Sequence, residues 1–231
     1  MPHRTVTKKL DRARIAEDAK PADDRHPAPE AALAWGDRRA FLSGFLQRPR
    51  EVGSVIPSSR WLERRLVRTA GLAQARTVVE LGPGTGGTTR AFLRAMPADS
   101  RLLAIELSPA FAERLDRQRT DSRLIVQHGS AEHLAEHLQA HGLPAPDVVL
   151  SGIPFSTMPA EVAERIAAAV SQALAPGGSF VAYQLRGHVA RFASQHLGPP
   201  ERSIEWVNIP PMQVFRWTRP EEPDTPLARA A

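Results

Sequence analysis

The stretch VVELGPGTGG, residues 78–87, decides the fold. An apolar run enters it, and the glycines Gly82, Gly84 and Gly86 interrupt that run before a helical pattern begins at residue 88. Glycines let the backbone turn sharply and approach a ligand closely, and a helix that starts there points its free N–H groups at the ligand. The segment therefore predicts the first strand, loop and helix of an α/β sheet that binds a nucleotide.

Two acidic residues narrow the choice of nucleotide. G-x-G-x-x-G also fits through Gly82, Gly84 and Gly87, so the glycines alone would equally suit a dinucleotide. Glu80 stands on the strand two residues before the loop, where a carboxylate would repel a pyrophosphate but suits a cationic amino acid with a sulfonium. Glu106 ends the next strand, at the position that binds ribose hydroxyls. Together these residues predict S-adenosylmethionine as the cofactor, with S-adenosylhomocysteine as its product.

The rest of the predicted cofactor site comes from the neighbouring strand ends. The third strand ends in QHGSAE, where Ser130 or the Ala131 N–H contacts the adenine or Ser130 caps the following helix, and both can hold at once. The loop GSVIPSS is expected to fold over the cofactor, or to serve only as a helix-capping loop. The full predicted set is Glu80, Gly82, Gly84, Thr85, Gly86, Glu106, Leu107, Gly129, Ser130, Ala131, Ser151, Ser54 and Ser58.

Strand and helix patterns alternate from residue 77 onward. Period-2 or fully apolar runs alternate with amphipathic runs as far as HVARFASQHLG, and SIEWVNI and QVFRWTR then predict a final antiparallel hairpin. We expect an α/β fold: a doubly wound, Rossmann-like sheet of seven strands, with helices on both faces and an N-terminal helical extension. Ser58 or Ser59 is the expected N-cap of the helix RWLERRLVRTAG, and Gly71 its expected stop.

Composition excludes several classes of protein. The 231 residues contain no cysteine, which excludes disulfides and thiolate metal sites. No run of 18 uncharged apolar residues and no secretion signal occurs, so we expect a cytoplasmic protein. Residues 1–70 contain 15 Lys and Arg against 9 Asp and Glu, whereas the net charge of the whole chain is +5. The basic excess therefore lies near the N-terminus, which favours an anionic partner or serves only solubility.

One motif suggests a metal site that we do not expect. His133, Glu136 and His137 form H-x-x-E-H, a zinc-peptidase pattern, on a predicted helix. In a doubly wound sheet the polar side of such a helix faces water, whereas ligands bind at the carboxyl ends of the strands. We therefore predict no metal ion and interpret these residues as a solvated helix face.

The loop LSGIPFSTMP follows the fourth strand, opposite the expected methyl donor. Methyltransferases that act on adenine have N-[LI]-P-[YF] or D-P-P-Y here, in which Asn or Asp holds the amine and the ring stacks on the flipped base. This chain has Gly152, Ile153, Pro154 and Phe155 instead. Because the polar side chain is missing, we interpret the loop as a wall that receives the amine of a substrate other than a base, with the ring as a surface for cations.

Five blocks in order and spacing resemble the bacterial phospholipid N-methyltransferases, which methylate phosphatidylethanolamine towards phosphatidylcholine. These blocks are FLSGFLQRPREVGSVIPSSRWL, VVELGPGTGGTTR, LSGIPFSTMP, FVAYQLR and NIPPMQVFRW, and the resemblance covers about residues 35–218. It implies methyl transfer to the head-group amine of phosphatidylethanolamine and its mono- and dimethyl derivatives. Related enzymes act on other amino lipids such as ornithine lipids. The family more loosely resembles the ribosomal RNA adenine dimethyltransferases, and a cofactor-binding membrane module without catalysis is the third alternative.

The family reading also suggests roles for residues outside the cofactor site. Tyr183 is the candidate catalytic residue over the amine, or a tyrosine that merely packs at a strand end. Arg186 and, with weaker support, His188 are candidates for binding the lipid phosphate, with a surface arginine as the alternative for Arg186. An amphipathic helix would bind the membrane or pack on its own sheet; its candidate residues are Trp35, Arg38, Arg39, Phe41, Leu42, Phe45 and Leu46.

These expectations divide the chain into four segments: a basic, flexible segment 1–30, amphipathic membrane-binding or lid helices 31–71, a methyltransferase domain 72–220 and a tail 221–231. We expect a monomer on the inner face of the cell membrane, with anionic lipids as partners, phosphatidylethanolamine as substrate and no nucleic acid.

Overall fold

The computed structural model of the chain describes residues 58–221. The predictions for segment 1–30, for the stripe within residues 35–46 and for Ser54 lie outside the described residues. Within the described range, no helix is long and apolar enough to cross a membrane.

Seven strands form one mixed sheet in the order β3-β2-β1-β4-β5-β7-β6. The first five strands are parallel, and β7 lies antiparallel between β5 and β6. The predicted doubly wound sheet with an antiparallel finish is therefore confirmed. The strands are β1 Thr77–Leu81, β2 Arg101–Glu106, β3 Leu124–His128, β4 Val148–Ser151, β5 Ser179–Gln184, β6 Glu201–Glu205 and β7 Met212–Thr218.

Helices cover both faces of this sheet, and local signals set their ends. They are α1 Arg60–Thr69, α2 Gly87–Ala95, α3 Pro109–Arg117, α4 Leu134–Ala140, α5 Ala160–Ala173 and α6 His188–Leu197, with a 3₁₀ turn at Ala131–His133. The Ser59 hydroxyl accepts the Leu62 N–H and starts α1, as predicted. Ser108 caps α3, and Pro109 occupies its first turn. Gly71, at φ 63°, follows the end of α1.

The central strands are buried on both sides, and their side chains alternate between two cores. Val79 and Leu81 of β1 face the core that includes residues of α4, α5 and α6. Val78 faces the core that includes residues of α1, α2 and α3. Leu62 and Leu66 of α1 are fully buried in that second core, so α1 packs as an ordinary layer helix of the sheet.

The predicted strand SIEWVNI, residues 203–209, is wrong in its extent, because β6 ends at Glu205. The Glu205 carboxylate accepts the Val207 N–H at 3.1 Å, and the Asn208 side chain donates to the Pro210 carbonyl at 2.9 Å. These side-chain bonds to the backbone take the place of strand pairing. Residues 206–211 therefore form a turn, which is called the β6–β7 turn below.

We predict that α1 is indispensable to the stability of the domain. Leu66→Ala should lower the free energy of unfolding by about 2–5 kcal/mol, because it leaves a cavity in a fully buried site. Arg64→Ala, on the exposed face of the same helix, is the control and should change it by less than about 0.5 kcal/mol. Urea unfolding followed by circular dichroism measures both. Equal small effects would instead mean that α1 detaches without cost to the sheet.

Candidate active site

Two adjoining cavities open at the carboxyl ends of the parallel strands. The inner cavity, about 120 Å³, is bounded by the glycine loop, the ends of β2 and β3, the loop after β4 and the first turns of α5. The outer cavity, about 420 Å³, lies between the glycine loop, the start of α1 and the end of β5. Gly82, Gly84, Gly152 and Pro154 line both cavities, so the two form one continuous site.

The three glycines of the loop have different tasks. A Cβ atom on Gly82 would lie 3.0 Å from the Ile153 side chain, so this glycine lets the two loops meet. Gly84 has φ 55° and nothing within 4 Å of its Cβ position, which leaves its backbone open to a ligand. Gly86 does not line either cavity. It precedes α2, and a Cβ there would lie 2.6 Å from the Leu115 side chain. Gly86 therefore gives room for the packing of Leu115, and its predicted contact with the cofactor stays a prediction.

Glu106 fits its predicted place in the cofactor site. Its carboxylate is buried, lines the inner cavity, and accepts the N–H groups of Gly84 at 3.0 Å and Ser108 at 2.9 Å. Burial raises the pKa of Glu106, and these backbone hydrogen bonds partly oppose that shift. A carboxylate oxygen has more than one lone pair, so Glu106 can still accept hydrogen bonds from a ribose. An open glycine backbone beside a buried acceptor fits an adenosine-containing cofactor.

Glu80 lies behind the loop and does not line the cavities. It is fully buried, and its two oxygens accept the hydroxyls of Thr88 and Thr89, each at 2.6 Å. Each Glu80 oxygen already accepts a hydroxyl from the first turn of α2, and the predicted contact of Glu80 with the cofactor stays a prediction. Burial, opposed by the threonine bonds, raises the pKa of Glu80 to about 7. The carboxylate fastens β1 to α2.

The inner cavity is apolar at its far end. Leu107, Gly129, Ser130 and Ala131 line it as predicted. Ser130 also accepts the Glu132 N–H at 3.2 Å, so it lines the cavity and caps the 3₁₀ turn at once. Sequence reasoning missed six further lining residues, which are Ile105, Phe111, Thr157, Met158, Val162 and Ile166. The spacing of Val162 and Ile166 indicates only a helix packed in the core.

Two predicted residues at the end of β4 and in the loop after it line neither cavity. Ser151 is fully buried, and its hydroxyl accepts the Ile153 N–H at 3.3 Å, so it shapes the loop instead of binding the cofactor. The Phe155 ring is 2% exposed and packs on Phe192, with 6.4 Å between ring centroids. The expectation that this ring forms a wall for the amine is therefore wrong, because the apolar ring is buried in the core.

Tyr183 occupies the place that the missing polar side chain would take. It lines the outer cavity, and a Cβ atom on Gly152 would lie 2.5 Å from its hydroxyl oxygen. Position 152 therefore has no room for a side chain while Tyr183 holds this position. Burial and the nearby Glu80 carboxylate raise the pKa of Tyr183, so it remains a neutral phenol at physiological pH.

The remaining predicted residues divide by position. The outer cavity is lined by Thr85, Ser58 and Arg186. The inner cavity is lined by Ile153 and Pro154. His188 is exposed at the first position of α6 and lines neither cavity, and its predicted contact with substrate stays a prediction.

Two polar side chains that the sequence did not single out hold the site together. Gln184 donates to the Ile153 carbonyl at 2.7 Å and fixes the loop after β4. Asn208 lines the outer cavity and accepts the Ser59 N–H at 3.0 Å. Both lie within the sequence blocks that resemble the phospholipid N-methyltransferases, but their partners are 31 and 149 residues away in sequence, so no local signal could have indicated these hydrogen bonds.

The histidines of the H-x-x-E-H motif have protein partners. His133 Nδ1 lies 3.2 Å from a Glu136 oxygen, and His137 Nε2 lies 3.1 Å from the Ser130 carbonyl oxygen. Within residues 58–221, no group of three or more His, Cys, Asp or Glu side chains is arranged to hold a metal ion.

Comparison with known proteins agrees with this fold. A family model described as a methyltransferase domain matches residues 78–178. The chain is 38% identical over 142 residues to an ornithine lipid N-methyltransferase of Singulisphaera acidiphila, covering 61% of this chain and 73% of that relative. It is 33% identical over 138 residues to the ribosomal RNA small subunit methyltransferase A of Streptomyces avermitilis, of which it spans only 44%.

Solved structures show the same fold at low sequence identity. The O-methyltransferase TomG of Streptomyces achromogenes, solved in complex with its cofactor, superposes with a TM-score of 0.57 at 20% identity, over 78% of this chain and 89% of TomG. The N-methyltransferase NodS of Bradyrhizobium japonicum gives 0.55 at 18% identity, over 71% and 98% of the two chains.

The raised pKa of Glu80 predicts a specific dependence of stability on pH. The folded state holds this proton more tightly than the unfolded state does, so the stabilisation is complete below the ordinary value of 4.5 and is lost as pH rises through about 7. Relative to Glu80→Gln, the wild type should lose up to about 1.4 kcal/mol of unfolding free energy per pH unit across that window. Urea unfolding of both proteins at pH 5, 6, 7 and 8 measures this. Parallel curves would contradict the assignment.

The matched domain begins at the glycine loop, and the cavities suit an adenosine-containing cofactor. The chain also spans more than two thirds of a relative that is 38% identical to it. The protein therefore belongs to the family of S-adenosylmethionine-dependent methyltransferases that includes this relative.

Proposed function

We propose that the protein transfers methyl groups from S-adenosylmethionine to the head-group amine of a membrane lipid. The packing of Tyr183 against Gly152 carries the proposal. It puts a phenol ring at the position where adenine methyltransferases have the Asn or Asp side chain that binds the adenine amine. The relative from Singulisphaera acidiphila supports the lipid class of substrate by its name.

The site residues have separate tasks in this reaction. When bound, the cofactor supplies an activated methyl group. The open backbone of Gly84 and the carboxylate of Glu106 would hold its adenosine part. Tyr183 lines the outer cavity next to the glycine loop, where its hydroxyl oxygen can accept a hydrogen bond from the amine and its ring can face an ammonium. Since the raised pKa of Tyr183 keeps it protonated, it positions the amine and does not act as a base.

An apolar surrounding would help the amine to react. An ammonium has no lone pair, and burial disfavours its charged form, so an amine loses its proton more readily in a desolvated site. Leu62, Leu185 and Met212 contribute apolar surface to the wall of the outer cavity. Arg186 also lines it, and its guanidinium is suited to the phosphate or carboxylate of a head group.

Among amino lipids, an ornithine lipid is better supported as substrate than phosphatidylethanolamine. The expectation of phosphatidylethanolamine came from a resemblance in five sequence blocks, whereas the lipid named for the relative from Singulisphaera acidiphila is ornithine lipid. Both lipids present a primary amine, so the chemistry at Tyr183 is the same. We further propose that the protein acts as a monomer on the inner face of the cell membrane, on anionic lipid, with the stripe in residues 35–46 as an anchor.

Methylation of adenine in RNA is the second candidate, and the ribosomal RNA methyltransferases among the relatives favour it. Two facts weigh against it. The chain spans less than half of those relatives, and Gly152 has no side chain with which to hold an adenine amine.

The test supplies methyl-labelled S-adenosylmethionine with three substrates: vesicles containing ornithine lipid, vesicles containing phosphatidylethanolamine, and ribosomal RNA. We expect label in the mono- and dimethylated forms of a lipid, with ornithine lipid labelled faster. Label in RNA alone would overturn the proposal. Cofactor binding without label in any substrate would favour a binding module over an enzyme.

We predict that Gly152 and Tyr183 act as a pair. Tyr183→Phe keeps the ring but loses the hydroxyl that binds the amine, so kcat should fall about 10- to 100-fold, the equivalent of one lost hydrogen bond in a desolvated site. Gly152→Ala should reduce kcat at least as much, because its new methyl group would displace the tyrosine ring.

The affinity for S-adenosylhomocysteine, measured by calorimetry, is the control for this pair. It should stay within a few-fold of wild type for Tyr183→Phe, since the hydroxyl is assigned to the amine and not to the cofactor. A Gly152→Ala variant with full activity would contradict the packing argument, and a Tyr183→Phe variant with full activity would remove the role of the hydroxyl.

A further inference from the structure

The exposed large apolar side chains of residues 58–221 are gathered at one place. Most large apolar residues in this range are buried, and the exposed ones either line the outer cavity or lie within two residues of Leu62 or Asn208, which line it. Trp206 is 70% exposed and Ile209 is 88% exposed. Exposed apolar residues that are scattered singly over a surface are common, whereas a group of them marks a site of interaction. The group, called the rim patch here, consists of Trp61, Leu185, Trp206, Val207 and Ile209.

Hydrogen bonds hold the parts of the rim patch side by side. Asn208, between Val207 and Ile209, accepts the Ser59 N–H at 3.0 Å, which keeps the start of α1 and its Trp61 beside the β6–β7 turn. Gln213, at the start of β7, donates to the Leu185 carbonyl at 3.0 Å. Asn208 and Leu185 both line the outer cavity, so the patch forms part of its rim.

The structure of the β6–β7 turn accounts for the exposure of its apolar side chains. A surface turn ordinarily directs its polar side chains outward. Here Asn208 is 1% exposed, and Glu205 is buried with its carboxylate 2.7 Å from Arg65 Nε. The polar side chains therefore point inward and fasten the turn, which leaves the apolar side chains of Trp206 and Ile209 in solvent.

The chemistry of the rim fits a lipid bilayer with anionic head groups. Tryptophan is enriched at the boundary between hydrocarbon and water because its ring is apolar with one polar N–H. The Arg60 guanidinium lies 4.9 Å from the ring centre of Trp61, and Arg186 is exposed next to Leu185, so cations stand beside the apolar groups. The segments 183–188 and 206–214 contain no Asp or Glu that would repel phosphate.

We propose that the rim patch inserts into the surface of an anionic bilayer and brings the opening of the outer cavity to the level of the lipid head groups. This inference rests on the proposed lipid substrate, and it adds an anchoring surface that is separate from the stripe in residues 35–46. A head group then enters the outer cavity from the bilayer, and the lipid does not have to leave the membrane to reach Tyr183.

The chain has no cysteine, so a single introduced thiol reports on one position. Val207→Cys and Thr218→Cys are each labelled with an environment-sensitive fluorophore in the full chain and mixed with vesicles of phosphatidylethanolamine and phosphatidylglycerol. S-adenosylhomocysteine is present, so no turnover occurs. Thr218 is the matched control because it is exposed at the opposite end of β7, where it pairs with Ser179 at the start of β5.

We expect a several-fold rise in emission with a blue shift at position 207 on addition of vesicles, and no change at position 218. Equal changes in emission at positions 207 and 218 would overturn the proposal. The proposal would also be overturned if the protein sedimented with vesicles but the emission at position 207 did not change. A fluorophore at 207 that is already in an apolar environment without vesicles would also overturn it, and would indicate that another part of the chain or a protein partner covers the patch.

A second pair of variants measures the contribution to binding. Ile209→Asp should weaken sedimentation with the same vesicles about tenfold, since it replaces an inserted apolar side chain by a charge. Thr218→Asp adds the same charge at the far end of β7 and should leave vesicle binding unchanged. If both variants lost binding equally, the change in net charge alone would explain the loss, and the rim patch would not contribute. Lipid methylation without a response at 207 would refute only the patch, whereas a response at 207 without lipid methylation would refute only the proposed reaction.

Discussion

The buried carboxylate of Glu80 is the constraint on which the rest of the site depends. It stands in the middle of the sheet, where an isolated charge is costly, and two threonine hydroxyls from the first turn of α2 satisfy it. The bonds fix the distance between β1 and α2, and the glycine loop must span that distance. Burial also raises the pKa of Tyr183, and the nearby Glu80 carboxylate adds to that shift.

Under the proposed function, an exchange of roles between positions 152 and 183 explains how a common fold acts on a different substrate. Where the loop after β4 has a polar side chain, that side chain approaches the methyl donor from β4. In this protein the polar group comes from β5, the next strand in the sheet, and glycine at position 152 makes room for it. A hydroxyl on a ring is less selective for a planar base edge than an amide is. The site therefore suits an amine on a flexible head group.

The order of strands and helices could be predicted from the sequence because local signals carry it. The alternation of apolar runs, the serine caps of α1 and α3 and the glycine loop all act within a few residues. The direction of individual side chains in loops could not be predicted. Phe155 belongs to the expected motif but faces the core, since a loop has no fixed period that would assign its side chains to a side.

Long-range hydrogen bonds were equally invisible in the sequence. Asn208 and Ser59 are 149 residues apart, and only the folded sheet brings the start of α1 next to the β6–β7 turn. Glu80 shows the remaining difficulty. A carboxylate beside a glycine loop indicates a site for a cationic ligand, yet the threonines that occupy its oxygens lie in the helix pattern and look like ordinary core residues.

The reversal of β7 has a practical consequence for handling this protein. Because β7 runs antiparallel to β5, it starts beside the cavities and ends at the opposite edge of the sheet, where Arg219 pairs with Gly177 and Gly178 through the backbone. Seven residues of strand separate the two edges by roughly 20 Å. A surface tether or a fluorescent domain joined just beyond residue 221 would therefore attach at the end of the sheet opposite the cavities and leave the opening of the active site accessible.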